Sequence, residues 1–248
     1  MDQKEVRMDF TTGNIVSLSL GSFKANFGFY SLLGIFFIVL SALILTLIPE
    51  GPSINWTLTI VLITLFSAVY AKFAVTIHRS ILLNEFSFND ILNWTNNNTQ
   101  FLLWIISLFL LLGAIVFGIL FLIMPLVSAN TPSPAFGFLA IIAMVVLAIL
   151  VSRLIIIFPS IAVGKKLSLS ECWQLTGQYK ASMFGIVIGF PYLTNILLKF
   201  IPNEGLIWTI VGTAISIIIS IFEIIMISHA YNALVEKKPN SEPDELRL

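Results

Sequence analysis

Six separate stretches of this sequence are apolar over a length that can cross a bilayer, and no other feature restricts the possible folds as much. A helix rises about 1.5 Å per residue, so roughly 20 residues cover the ~30 Å hydrocarbon core. The stretches fall near residues 29–48, 56–77, 101–124, 135–158, 183–201 and 206–228. With 58% hydrophobic residues, 10% charged residues and a mean hydropathy of +0.99, a soluble domain is excluded. The pattern predicts an all-α polytopic membrane protein with six transmembrane helices. The first apolar run follows a charged start and lacks a small-residue cleavage site, so it reads as a retained helix and not as a signal peptide.

Three amphipathic segments punctuate the spans. Val16, Leu20, Phe23 and Phe27 are spaced four, three and four, on one face of a helix before the first span. Ser87 precedes Phe88, Ile91, Leu92 and Thr95, with Asp90 three residues after the serine. Ser168 precedes Leu169, Cys172, Trp173 and Thr176, with Glu171 in the same relation. Both serines open a capping box.

An offset of 81 residues places Ser87 and Asp90 on Ser168 and Glu171, Thr95 on Thr176, and Lys72 on Arg153. Aligning His78 with His229 places Lys72 on Glu223. The sequence therefore reads as three repeat units near 10–80, 81–160 and 161–235, each a surface helix followed by a helix pair, within a single domain over 1–235. Residues 236–248 read as a disordered tail.

Formal net charge is zero, but the charges are unevenly placed: of thirteen Lys and Arg residues, only Lys199 lies toward the face opposite the termini. The positive-inside rule then puts both termini in the cytoplasm. Anionic lipid headgroups at that face are the expected partner, contacted through Arg79, Lys165, Lys166 and Trp173. A membrane-protein partner or a homo-oligomer is compatible with the pattern, and nothing suggests nucleic acid. The sequons at Asn55, Asn93 and Asn97 are too short to carry weight, and the latter two fall on the cytoplasmic side.

Two constellations stand out as candidate sites. Lys72, Arg153 and Glu223 are the charged residues deepest in spans, and the repeat geometry, which brings equivalent positions together at one depth, predicts that they meet as an intramembrane ion cluster. Snorkelling cations with one structurally paired acid is the plainer alternative. A stripe of Gly212, Ser216 and Ser220 leads to Glu223 and should face protein. In the fifth span, Gly185 and Gly189 form a GxxxG ahead of Pro191 and Asn195. Such a kink is most often packing, while broken helices can also line a transport site.

The lone Cys172 reads as a packing or lipid-facing residue, and His78 and His229 as span-end residues meeting headgroups. No nucleophile triad, metal-ligand spacing or phosphate-binding glycine loop is visible, so no catalytic residue, metal or cofactor is expected.

The motifs HRSILLNE at 78–85, and Arg153 followed by Pro159 and then LSLSECWQLT at 167–176, resemble an uncharacterised family of six-span bacterial inner-membrane proteins. The chain is similar to YciC-like proteins and to the membrane domain fused to some glycerophosphodiester phosphodiesterases, over about residues 10–234. The resemblance implies a bacterial inner-membrane location and carries over no catalytic residue. A membrane-organising or scaffold role is the leading expectation, and a small-solute or lipid transporter using the fifth span and the ion cluster is the alternative.

Overall fold

The computed structural model describes residues 10–45, 56–87, 93–123, 134–202 and 205–236. Among them lie ten α-helices: α1 (Thr12–Ala25), α2 (Phe27–Leu45), α3 (Trp56–Leu82), α4 (Asn96–Ile123), α5 (Pro134–Leu154), α6 (Ile157–Ala162), α7 (Leu169–Leu175), α8 (Lys180–Phe184), α9 (Phe190–Leu198) and α10 (Leu206–Glu236). A 3-10 turn precedes α8, and a π-helical turn, Gly185–Gly189, joins α8 to α9. The protein is all-α, with six helical stretches long and apolar enough to cross a membrane, at mean hydropathies from 1.6 to 3.0. It is a multi-pass membrane protein.

The helices converge at one end. Tyr30 near the start of α2 bonds Ser80 near the end of α3 at 3.2 Å, and His78 Nδ1 of α3 meets Ser228 Oγ of α10 at 2.7 Å. Asn97 at the start of α4 donates to the Ala162 carbonyl that ends α6 at 3.2 Å. Starts of outgoing helices and ends of returning ones therefore share this end, which also holds Arg79, Lys165 and Lys166 and is called the basic end below. The core follows it, because α3 buries Ala71, Ala74, Val75 and His78 on one helical stripe against Ile221, Ile225 and Ser228 of α10. Toward the other end the spans separate and present apolar side chains outward, such as Phe109, Phe117 and Phe138. In a bilayer that surface faces lipid tails, so its exposure costs nothing.

Several boundaries differ from the sequence expectation. The fourth apolar stretch extends to residue 158, yet α5 ends at Leu154 and Pro159 lies inside α6. A proline removes its own N–H and crowds the carbonyl four residues earlier, which here is Ile155. The break therefore falls at 155–156. The sixth span, expected over 206–228, runs further: α10 continues to Glu236, with Tyr231 and Leu234 buried against the core.

The face of α1 also differs. Ile15 and Ser19 are buried, Val16 and Phe23 pack against the core, and Leu20 and Phe27 of the expected stripe point outward. In α7 the expected apolar side divides in the same way, with Cys172 and Thr176 buried and Leu169 and Trp173 exposed. The second amphipathic segment has Phe88, Asp90, Ile91 and Leu92 outside the described residues, as do the tail beyond Glu236 and Asn55.

Candidate functional site

The joint between α5 and α7 is closed around Arg153. Ser168 caps α7: its Oγ accepts from the Glu171 N–H at 3.2 Å, and Glu171 Oε2 accepts from the Ser168 N–H at 2.7 Å. This reciprocal box satisfies two amide groups of the helix start. The helix ends over Arg153, whose guanidinium lies 3.6 Å from the centre of the Trp173 ring, donates to the Trp173 carbonyl, and donates from Nε to Thr176 Oγ1 at 3.3 Å. A cation at a helix C-terminus is favoured by the carbonyls left without intrahelical partners, and a planar guanidinium can stack and donate at once. Arg153 is only 7% exposed. Gly177 allows this approach, since a Cβ there would sit 3.3 Å from Arg153 Nη2.

The corresponding cation, Lys72, reaches the connection before α4. Its Nζ donates to the Asn93 carbonyl, and the hydrogen-bond network sets the buried Asn98 amide with its oxygen 3.1 Å from Nζ. Unlike Arg153, Lys72 borders open space. It lines a cavity of about 310 Å³ between α2 and α3 and a smaller one of about 80 Å³ toward Arg79 and Thr95.

Lys72, Arg153 and Glu223 do not come together. No ion pair joins them among the described residues; the ion pair found there is Arg79–Glu85 at 2.6 Å, with Arg79 Nη1 also donating to the Ala162 carbonyl at 3.3 Å. Repeat-equivalent positions at one depth did not bring the three side chains into contact, because each cation takes a carbonyl of the connection that follows its own span. Glu223 of α10 makes no hydrogen bond or ion pair among the described residues and lies near Tyr70 of α3. The serines leading to it bond within their own helix, Ser216 to the Gly212 carbonyl at 2.8 Å and Ser220 to the Ser216 carbonyl at 3.0 Å.

The fifth span is interrupted upstream of its proline. The π turn at Gly185–Gly189 passes the backbone to Pro191, the second residue of α9, whose missing N–H leaves the ladder one donor short. Gly185 is a close-contact point, where a Cβ would lie 2.9 Å from Thr12 Oγ1, whereas a Cβ at Gly189 would meet only the Phe184 carbonyl of its own span, at 3.9 Å. Asn195 donates back to the Pro191 carbonyl at 2.8 Å and lines none of the four cavities described.

Compared with known proteins, the chain matches no family model, no curated protein and no solved structure. The site is therefore read from its own geometry.

Lys165 and Lys166 are exposed on the turn before α7, beside the exposed Leu169 and Trp173. The histidines, expected to meet headgroups, instead join helices. His78 is 2% exposed and bonds Ser228, and His229 Nε2 meets Ser22 Oγ of α1 at 2.8 Å. The stripe Ala71, Ala74, Val75 and His78 at helical spacing was the signal that His78 faces inward. Burial pushes the Cys172 thiol from 9.0 up to about 11, with the Glu171 carboxylate adding to the shift.

Proposed function

We propose that this protein is a non-enzymatic bacterial inner-membrane protein, with cytoplasmic termini, that organises lipid or a membrane-protein partner through surface helices at its basic end. The observation that carries this reading is the make-up of α1 and α7. Each is packed on span ends by one face and offers apolar side chains outward beside cations: Leu20 near Lys24, and Leu169 and Trp173 near Lys165 and Lys166. Helices that lie in the headgroup region use this combination of apolar anchor and basic flank, and each cation adds about 1 kcal/mol of attraction to an anionic leaflet. The resemblance to six-span inner-membrane proteins fits the same location.

Fluorescent phosphatidylglycerol in proteoliposomes tests it. The protein should concentrate the labelled lipid and raise its self-quenching, and the triple variant Lys165→Gln, Lys166→Gln, Trp173→Ser should reduce the effect. Absence of any enrichment around the wild-type chain would remove the proposal.

A second reading, transport of a small solute or lipid, is favoured by one observation. A cavity of about 600 Å³ opens between α2, α3 and α10 away from the basic end, with Ser41 Oγ buried beside it without a partner and Thr213 and Ser216 on its wall. Thiol labelling in a Cys172→Ser background separates the two. Both readings allow labelling at Thr213→Cys, but only a transport path gives labelling at Ser220→Cys, deeper in α10.

A further inference from the structure

We propose that the cavity between α2 and α10, away from the basic end, binds one uncharged single-chain lipid alcohol whose hydroxyl bridges Ser41 and Thr213. The site lies outside the basic-end contacts and stands whether or not they recruit anionic lipid. It also requires no transport of the ligand.

The packing of the two helices sets up the site. Gly34 of α2 lies against α10, where a Cβ would sit 3.3 Å from Ile217 Cγ2 and 3.4 Å from Ile221 Cδ1. The helices run in opposite directions, so seven positions forward along α2 match seven positions back along α10. Ser41 thereby comes level with residues 210–214, and two helical turns keep it on the face that carries Gly34. Thr213, four positions before Ile217, shares that residue's face of α10. The two hydroxyls therefore face each other, yet no hydrogen bond joins them. Beyond Gly34 the helices part and leave the cavity of about 600 Å³ between them.

The hydrogen bonds along the walls define the chemistry of the occupant. Thr209, Thr213 and Ser216 each donate to the carbonyl four residues back, at 3.2, 2.8 and 2.8 Å. That uses the one O–H of each and leaves its lone pairs free to accept. Ser41 does not close the same bond to its own helix, and its buried Oγ has no partner. One wall thus offers acceptors and the other an unused donor, which is costly to leave buried. A hydroxyl between them accepts from Ser41 and donates to Thr213 through a single oxygen, whereas an ether or carbonyl can only accept. A charged head is disfavoured, since among the described residues no charged side chain lines the cavity. Phe37, Phe66 and Ile217 make the wall apolar elsewhere. The cavity opens toward the bilayer past Phe66 and Trp208, both partly exposed. At roughly 30 Å³ for each water-sized group, its volume holds about twenty non-hydrogen atoms, the size of oleyl alcohol.

The test uses the full-length protein in phosphatidylcholine bilayers with a trace of long-chain alcohol that carries a diazirine in mid-chain, read by peptide mapping. Oleyl alcohol, oleyl methyl ether and oleate serve as competitors. Label should concentrate on residues 37–42 and 208–217, and the alcohol should displace it at concentrations about fivefold lower than the ether, the worth of one hydrogen bond, with oleate weakest. Ser41→Ala, whose hydroxyl has no partner to lose within the protein, should weaken alcohol and ether alike by about fivefold. Thr213→Val should weaken the alcohol and leave the ether unchanged. Gly212→Leu should abolish displaceable label by filling the cavity, and it is tolerated because the nearest atom to a Cβ there is Ile201 Cγ2 at 4.0 Å. Equal displacement by all three competitors would overturn the site, because the chain alone would then be recognised. So would wild-type displacement in Ser41→Ala, or label as dense on the lipid-facing residues 109–117 as on the cavity.

Discussion

Lys72 and Arg153 stand 81 residues apart, each near the basic end of a returning span, and each donates to a main-chain carbonyl roughly one surface helix further along, at separations of 21 and 20 residues. Around Arg153 the joint is shut by a stacked indole, a threonine hydroxyl and a capped helix. Lys72 reaches the Asn93 carbonyl and the Asn98 amide and borders two cavities. Side-chain chemistry accounts for the difference. A guanidinium can stack and donate along several fixed directions, and so can close a joint, while an ammonium is a compact charge that leaves space beside it. The same placement of a cation thus closes one joint and leaves open space beside the other.

The strongest way to break this comparison is to remove each cation in turn. Arg153→Leu loses the ring stack and two charge-assisted hydrogen bonds, and should cost about 2–4 kcal/mol. At roughly 2–4 °C per kcal/mol for a chain of this size, thermal unfolding in detergent should move down by about 5–15 °C. Lys72→Leu should cost less, because Lys72 is half-buried beside cavities where Arg153 is enclosed. Equal losses would mean that both joints are locked.

Next in size are two glycines at close approaches. Gly185→Ala pushes a Cβ to within 2.9 Å of Thr12 Oγ1 and should cost about 1–3 kcal/mol. Adding Thr12→Ala should recover part of that loss in the same unfolding assay. Gly177→Ala presses on Arg153 at 3.3 Å and should cost about 1 kcal/mol, with no further loss in an Arg153→Leu background. A full loss there would show that Gly177 acts independently of the closed joint.

Ser168→Ala removes the cap of α7 and should cost about 1 kcal/mol. Smaller again is the effect of pH through Cys172. Its thiol is pushed from 9.0 up to about 11 by burial, so the fold favours the neutral form. The associated stability is complete below pH 9 and declines as pH rises toward 11. At pH 8 a water-soluble maleimide should label Cys172 far more slowly in the folded chain than after denaturation in SDS; equal rates would show that the Arg153 joint opens freely.

The six spans were legible because length and hydropathy suffice to mark a helix that must satisfy its backbone within the bilayer. The Ser168 cap was legible because it is local. Contacts between distant residues were not. The fourth apolar stretch extends to residue 158, but the helix breaks at Ile155, because Pro159 acts on the preceding turn. The histidines were assigned to headgroups by their position near charged residues, although the spacing of His78 from Ala71 and Ala74 already placed it inside. The ion cluster was inferred from depth and repeat equivalence. Neither says which way a side chain turns, and carbonyls of the next connection are closer partners than a charge on another helix.

The closure of the Arg153 joint is tested most directly by hydrogen exchange of the full-length protein in bilayers, read by peptide mapping. Slow exchange of residues 168–176 in the wild-type chain, and fast exchange of the same residues in Arg153→Leu, are the predicted result. Exchange of 168–176 that is unchanged by Arg153→Leu would contradict it.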